Sequence, residues 1–446
     1  MIRNLLILVL IGSFSALQGQ THQNYYTIIN KISKERIRKD VTKLVEFGTR
    51  HTLSDTLSES RGIGAARRWI KQEFEKISTA CGDCLRVQYQ KNFTPSHSQR
   101  IPKPVWINNV VAVLPGTKYP NRYVIISGDI DSRISDVNNY TDDSPGANDN
   151  ATGVAATLET ARVLSQYEFE NSIVFAALSG EEQGLYGGKG LAKYAQDQGW
   201  EIIGVLNNDM IGNTQGIDGV VDNRSFRIFS EPTPPTETEK ERTKRRFYGG
   251  EVDGNSRQLA RYIHKNVQTY MPEMNPMMIY RLDRFGRGGH HRPFNDLGFA
   301  GVRIMEAHEN YNRQHQDLRT EDGIRYGDVL EGVDFDYAQK LTAVNAINLA
   351  ALAWSPPMVK NLSIGGGVQP STLLRWESIP DPEVEGYTIY WRETTSPTWD
   401  IKKYVGRVTA VQLDGIVVDN FFFGVATRYK NGTESPVVFP SAVFWE

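Results

Sequence analysis

Three apolar runs in this 446-residue chain each end abruptly in carboxylates. Tyr123-Val124-Ile125-Ile126 leads into Ser127-Gly128-Asp129-Ile130-Asp131. Ile173-Val174-Phe175-Ala176-Ala177-Leu178 leads into Ser179-Gly180-Glu181-Glu182, and Ile202-Ile203-Gly204-Val205-Leu206 into Asn207-Asn208-Asp209. Short continuous apolar runs flanked by helical stretches predict strands buried on both faces. In open α/β sheets the ligand site lies beyond the carboxyl ends of such strands. Asp129, Asp131, Glu181, Glu182 and Asp209 gathered at one sheet edge would repel one another strongly unless cations neutralise them. The residues themselves therefore imply a metal site.

Around these runs the periodicity is helical. Apolar residues recur at three- and four-residue intervals from Tyr25 to Phe47 and again from Gly62 to Ile77, predicting two amphipathic helices, and Ala151 to Leu164 predicts a third. Asn109 to Leu114 and Tyr123 to Ile126 predict strands, joined through Pro115-Gly116-Thr117-Lys118-Tyr119-Pro120 as an antiparallel hairpin. Helices and strands then alternate through Leu206, the pattern of a layered α/β domain. Glu231 to Arg246, with three prolines followed by Glu, Lys and Arg, reads as an exposed insertion. Beyond Ala353-Trp354-Ser355-Pro356-Pro357 the helical period disappears. Leu373 to Trp376, Gly386 to Trp391 and Phe421 to Ala426 are strand-like and Asn431-Gly432 is a turn signal, so residues 355–446 predict an all-β sandwich. Its position behind a Pro-Pro linker predicts a separable module.

Composition narrows the partners. Fifty Lys plus Arg stand against 52 Asp plus Glu, and no basic tract interleaved with aromatics occurs, which argues against nucleic acid. Arg3, an apolar stretch from Leu5 to Ile11 and small residues through Gly19 match a secretory signal peptide over residues 1–20, so a secreted or periplasmic location is expected. That stretch is far short of the roughly 20 residues of a spanning helix, and no later segment approaches it. In an exported chain the two cysteines of Cys81-Gly82-Asp83-Cys84 predict a small loop disulfide.

With those motifs in order, the stretch from about Ser33 to Leu352 resembles the co-catalytic dizinc aminopeptidases of peptidase clan MH, the leucyl-aminopeptidase type. The resemblance implies a mixed central sheet flanked by helices over residues 21–354. It implies a bridging ligand at Asp149 in Pro145-Gly146-Ala147-Asn148-Asp149-Asn150, a general base at Glu181 and a ligand at Glu182. It implies further ligands at Asp209 and at His315 in Asn312-Arg313-Gln314-His315-Gln316-Asp317. His291, in Gly289-His290-His291-Arg292-Pro293-Phe294, falls where relatives line the substrate pocket and is expected to touch substrate. The tail resembles a fibronectin type III domain through Leu374-Arg375-Trp376-Glu377 and Gly386-Tyr387-Thr388-Ile389-Tyr390-Trp391. Two divalent cations about 4 Å apart can share a water, polarise a peptide carbonyl and anchor a free amino terminus, while Glu181 moves the proton. Peptides are the implied substrates.

One position departs from the pattern. The family reads His-x-Asp where this chain has Asp129-Ile130-Asp131, with the aspartate orienting the histidine from behind. Asp129, Asp149 and Asp209 would form an all-oxygen set, so a second site would suit manganese, magnesium or calcium, whereas Asp149, Glu182 and His315 suit zinc. Each residue has a plainer reading when taken alone. Asp149 would cap a helix, Glu181 and Glu182 would be a solvated helix start, His315 a loop histidine, and His290 and His291 a hydrogen-bonded structural pair. At the level of function, a metallo-carboxypeptidase and a non-catalytic binding protein on a degenerate peptidase fold stand as alternatives to an exported aminopeptidase.

Overall fold

The computed structural model describes residues 23–96 and 98–444; the segment read as a signal peptide lies outside the described residues. An eight-stranded mixed sheet forms the centre. Its strands are β1 (Arg86–Thr94), β2 (Val105–Leu114), β3 (Tyr119–Asp129), β4 (Asn171–Leu178), β5 (Glu201–Asn208), β6 (Ser225–Ser230), β7 (Asn275–Ile279) and β8 (Gly301–Glu306), in the order β1-β2-β4-β3-β5-β8-β6-β7. The four central strands β4, β3, β5 and β8 run parallel, and β4 has no exposed residue. Burial on both faces explains their unbroken apolar runs. The predicted β2–β3 hairpin does not form. β4 lies between the two, antiparallel to β2 and parallel to β3, because so apolar a strand needs a hydrogen-bonded neighbour on each side.

One face of the sheet packs against helices Lys34–Val45, Gly62–Ala80, Thr152–Leu164, Asn255–Tyr270 and Phe335–Ala353, and the other against Tyr186–Asp197 with Phe294. The helix expected over Tyr25 to Phe47 is broken. A helix over 23–31 stops, and Ser33 starts the next one by accepting the Arg36 amide at 3.2 Å, as an N-cap serine does. The charged insertion carries a helix, Glu239–Tyr248, none of whose residues is buried. Cys81 and Cys84 are disulfide-bonded.

The C-terminal region is all β. A four-stranded sheet (Ser363–Gly365, Ser371–Arg375, Ala410–Asp414, Ala442–Val443) faces a three-stranded one (Val384–Glu393, Ile401–Gly406, Phe421–Tyr429) across a core that includes Leu374, Trp376, Ile389 and Val425. It is bound to the α/β domain through buried charges rather than hung from a linker. Arg392 donates to both oxygens of Asp253 at 2.9 Å, and Arg261 donates to the same carboxylate at 2.8 Å.

Candidate metal centre

The parallel course of β3, β4 and β5 delivers their carboxyl ends, and the acids that follow, to one edge. Two glycines let the chain close there. A Cβ on Gly128 would run into the backbone of Gly153 and Val154, so only glycine allows the end of β3 to lie against the helix that follows Asp149. Gly180 has φ +76, a left-handed conformation that turns the chain off β4 and presents Glu181 and Glu182. The turn bearing Asp149 is fixed by Asp328, whose carboxylate accepts the amides of Asn148 at 2.8 Å and Asp149 at 2.7 Å.

His315 lies at the focus of two carboxylates. Its Nε2 is 2.8 Å from Glu182 Oε1 and 2.9 Å from Asp149 Oδ2, and one ligand atom from each of the three residues falls within 4.8 Å of the others. Burial works against ionisation here, yet each of these groups favours the charged form of its partner. Glu182 and Asp149 are drawn below the usual carboxylate range by His315, and His315 is raised to about 9 chiefly by Glu182. Three ligand-type groups gathered this closely fit a cation that would replace the shared proton. Two carboxylates and an imidazole leave a coordination position open, the donor set and vacancy of a catalytic zinc site. Arg133 braces Glu182, with Nε on Oε2 at 2.7 Å; its Nη2 lies 2.7 Å from His315 Nδ1, which can accept only while the ring's proton sits on Nε2.

Glu181 stands outside this group. It retains partial exposure while Glu182 is buried, as a base that must reach substrate requires. Its carboxyl is pushed well above the usual range, by burial first and then by Glu182, Asp209, Asp129 and Asp149. Asp131, expected behind position 129, instead holds this turn. Its two oxygens accept the amides of Glu181 at 3.2 Å and Glu182 at 3.0 Å, and Thr52 donates to it at 3.1 Å.

Asp129 and Asp209 are brought to the same edge but are engaged elsewhere. His290 Nδ1 is 2.5 Å from Asp129 Oδ1, and Asn150 donates to Asp129 Oδ2 at 2.7 Å. Burial lowers the His290 pKa to about 4 and raises that of Asp129 to about 8, so a neutral ring and a carboxyl share one proton across this contact. Arg303 Nη2 lies 2.9 Å from Asp209 Oδ2. Among the described residues, only Asp149, Glu182 and His315 gather as a metal-type cluster. The first ligand set thus fits zinc; the expected oxygen-only set at Asp129, Asp149 and Asp209 does not assemble.

His291 is placed differently from its expected role. It has no exposed surface and its Nε2 contacts the Leu282 carbonyl at 2.8 Å, which suits it to holding the Leu282–Asp283 segment rather than touching a substrate. Sequence reasoning missed Arg133, Asp328 and Arg303, and named His290 without its partner Asp129. For Arg303 a signal existed. It is the one cation in the buried strand Gly301-Val302-Arg303-Ile304-Met305-Glu306, where an unpaired charge would be prohibitive.

Known proteins resemble this chain in sequence and in fold. The profile of Peptidase family M28 covers residues 109–330. A probable zinc metalloprotease of Pyrenophora teres f. teres is 39% identical over 93% of this chain and 86% of its own. Another, from Leptosphaeria maculans, is 41% identical over 93% of this chain and 96% of its own. The LapA aminopeptidase of Legionella pneumophila shares the fold, with a TM-score of 0.54 at 16% identity, over 75% of this chain and 76% of that one. Identity near 40% sustained across 93% of the sequence makes this chain a member of peptidase family M28 and a metallopeptidase.

Proposed function

We propose that this protein is an exported, zinc-dependent aminopeptidase. The reading rests above all on the convergence of Asp149, Glu182 and His315 with Glu181 set beside them but outside their cluster. In it, Asp149, Glu182 and His315 hold the cation. When bound, zinc supplies Lewis-acid polarisation of the scissile carbonyl and lowers the pKa of water. Glu181 takes the proton from the attacking water and returns it to the leaving amine. Its raised pKa suits a group that must hold the proton between those steps. Asp131 keeps Glu181 and Glu182 diverging from one turn, so that one ligates while the other stays free.

The signal-peptide pattern supports export to periplasm or medium, and the tail is read as a fibronectin type III-like domain from residue 355 onward. Relatives named as metalloproteases and a fold neighbour named as an aminopeptidase support a peptide substrate cut from its amino end. Hydrolysis of unblocked aminoacyl peptides, its absence on N-acetylated peptides and its loss to chelators are the expected results. Release of residues from the carboxyl end, analysed by mass spectrometry of a long peptide, would establish a carboxypeptidase instead.

A further inference from the structure

We infer that this enzyme holds a single catalytic cation, and that the buried guanidinium of Arg303 supplies the positive charge that a second cation would otherwise bring to Asp209. The inference rests on the reading of Asp149, Glu182 and His315 as a metal site.

Three observations carry it. First, Asp129 has no oxygen to give. Oδ1 is taken by His290 at 2.5 Å and Oδ2 by Asn150 at 2.7 Å, and Asn150 is itself fixed by a second bond to the Asn208 carbonyl at 2.7 Å. Second, Asp209 is already neutralised. Arg303 Nη2 contacts its Oδ2 at 2.9 Å and its carbonyl at 3.2 Å. Nη1 meets both oxygens of Asp283 at 3.2 Å and the Gly288 carbonyl at 2.9 Å. Third, Arg303 has no exposed surface. It sits in the middle of β8, between two carboxylates, and cannot swing into solvent to admit a metal.

A guanidinium remains charged at any physiological pH and its repulsion of a dication is strongest in a buried, low-dielectric setting. The atoms left here without a partner are Asp209 Oδ1 and His290 Nε2, and among the described residues neither belongs to a group of three ligand atoms within 4.8 Å of one another, too few for a hard cation that takes six or more. The histidine absent from position 129 and the second cation absent beside it are thus one change. Asp129 pairs with His290, and a guanidinium at 303 answers Asp209. The manganese, magnesium or calcium site expected from the acids alone gives way to internal ion pairing. The charge at Asp209 survives, but no set of three ligands gathers beside it among the described residues, so the substrate's amino terminus must be recognised by carboxylates rather than by a second metal.

The test is a count of metal per chain. Protein saturated with zinc and passed through a desalting column should carry one equivalent by plasma mass spectrometry, with none added by excess manganese, magnesium or calcium. Cobalt(II)-loaded protein should give the electron paramagnetic resonance of an isolated high-spin ion, without the coupling expected of two ions bridged by Asp149. Asp209→Asn should keep its equivalent, and Glu182→Gln should lose it. Two equivalents, spin coupling, or loss of an equivalent in Asp209→Asn would each overturn the inference. No retained metal in the parent protein would overturn it together with the zinc-site reading, and is told apart by that zero.

Discussion

Asp131 accepts the backbone amide of Glu182 at 3.0 Å, so a residue at the end of one strand sets the direction of a ligand at the end of its neighbour. The carboxylate's other oxygen accepts the Glu181 amide. An asparagine there would turn an NH₂ toward one of two N–H donors. Asp131→Asn is expected to weaken zinc binding by about 10- to 100-fold, the usual effect of disturbing a ligand's support, and to lower kcat as well. Competition against a chelating dye measures the first and steady-state kinetics the second. Unchanged values of both would show that the turn holds its shape without Asp131.

Glu181 and Glu182 are adjacent in sequence yet assigned opposite tasks, and conservative amides separate them. Glu181→Gln should retain its zinc while turnover falls by about two to four orders of magnitude, since only the proton carrier is lost. Glu182→Gln removes a negative ligand from the His315 cluster and should lose zinc on desalting. Equal metal content in the two variants would refute the assignment.

Much of this was legible in the chain because buried parallel strands must be apolar, and their abrupt ends in Asp129, Glu181 and Asp209 mark the working edge. Strand order was not legible. Nothing local in β2 or β3 reveals that β4, some 40 residues on, will separate them. His315 came from resemblance to a family motif, as its loop has no periodicity to read. The partners of Asp129 and Asp209 escaped because compensation is a property of three-dimensional contact. His290 and Arg303 are both far from those acids in sequence, and only the isolated charge inside β8 hinted at a hidden partner.

Asp40, in the helix Lys34–Val45, makes a prediction about pH. Its carboxyl is 2% exposed, its Oδ2 has no partner, and Arg36 approaches only to 3.9 Å. Burial raises its pKa to about 7, with Arg36 and Lys39 opposing and Glu73 and Glu159 adding to the rise. An acid whose pKa is raised on folding contributes its stability fully below the unfolded value near 4, and that stability is lost as pH climbs toward 7. Asp40→Asn should therefore be more stable than the parent at pH 8, by roughly 2 to 4 kcal/mol, and about equal to it at pH 4. Urea denaturation at the two pH values decides; a gain at pH 4 and none at pH 8 would reverse the sign.

The Asp253–Arg392 pair bears on whether the tail can be removed. Both side chains are almost wholly buried, at 0% and 1% exposed, and Arg261, at 2%, shares the carboxylate while also donating to the Pro397 carbonyl at 2.7 Å. A second, half-buried knot joins Tyr429 to Glu170 and Asp381, each at 2.7 Å, with Lys118 on Asp381 at 2.8 Å. Cutting the chain near Ser355 would strip partners from Asp253, Arg261, Glu170 and Lys118 at once. A domain behind a simple linker would leave the remainder folded. Here the truncated chain is expected to lose solubility or unfold well below the parent temperature. Asp253→Leu should cost about 3 to 5 kcal/mol, the usual result of removing the carboxylate that pairs buried guanidiniums, here Arg261 and Arg392. Adding Arg392→Met to Asp253→Leu should recover part of that loss, because one buried guanidinium is then left unpaired rather than two; a double-mutant cycle measures the coupling. A soluble truncation that melts at the parent temperature would show that the two domains stand independently.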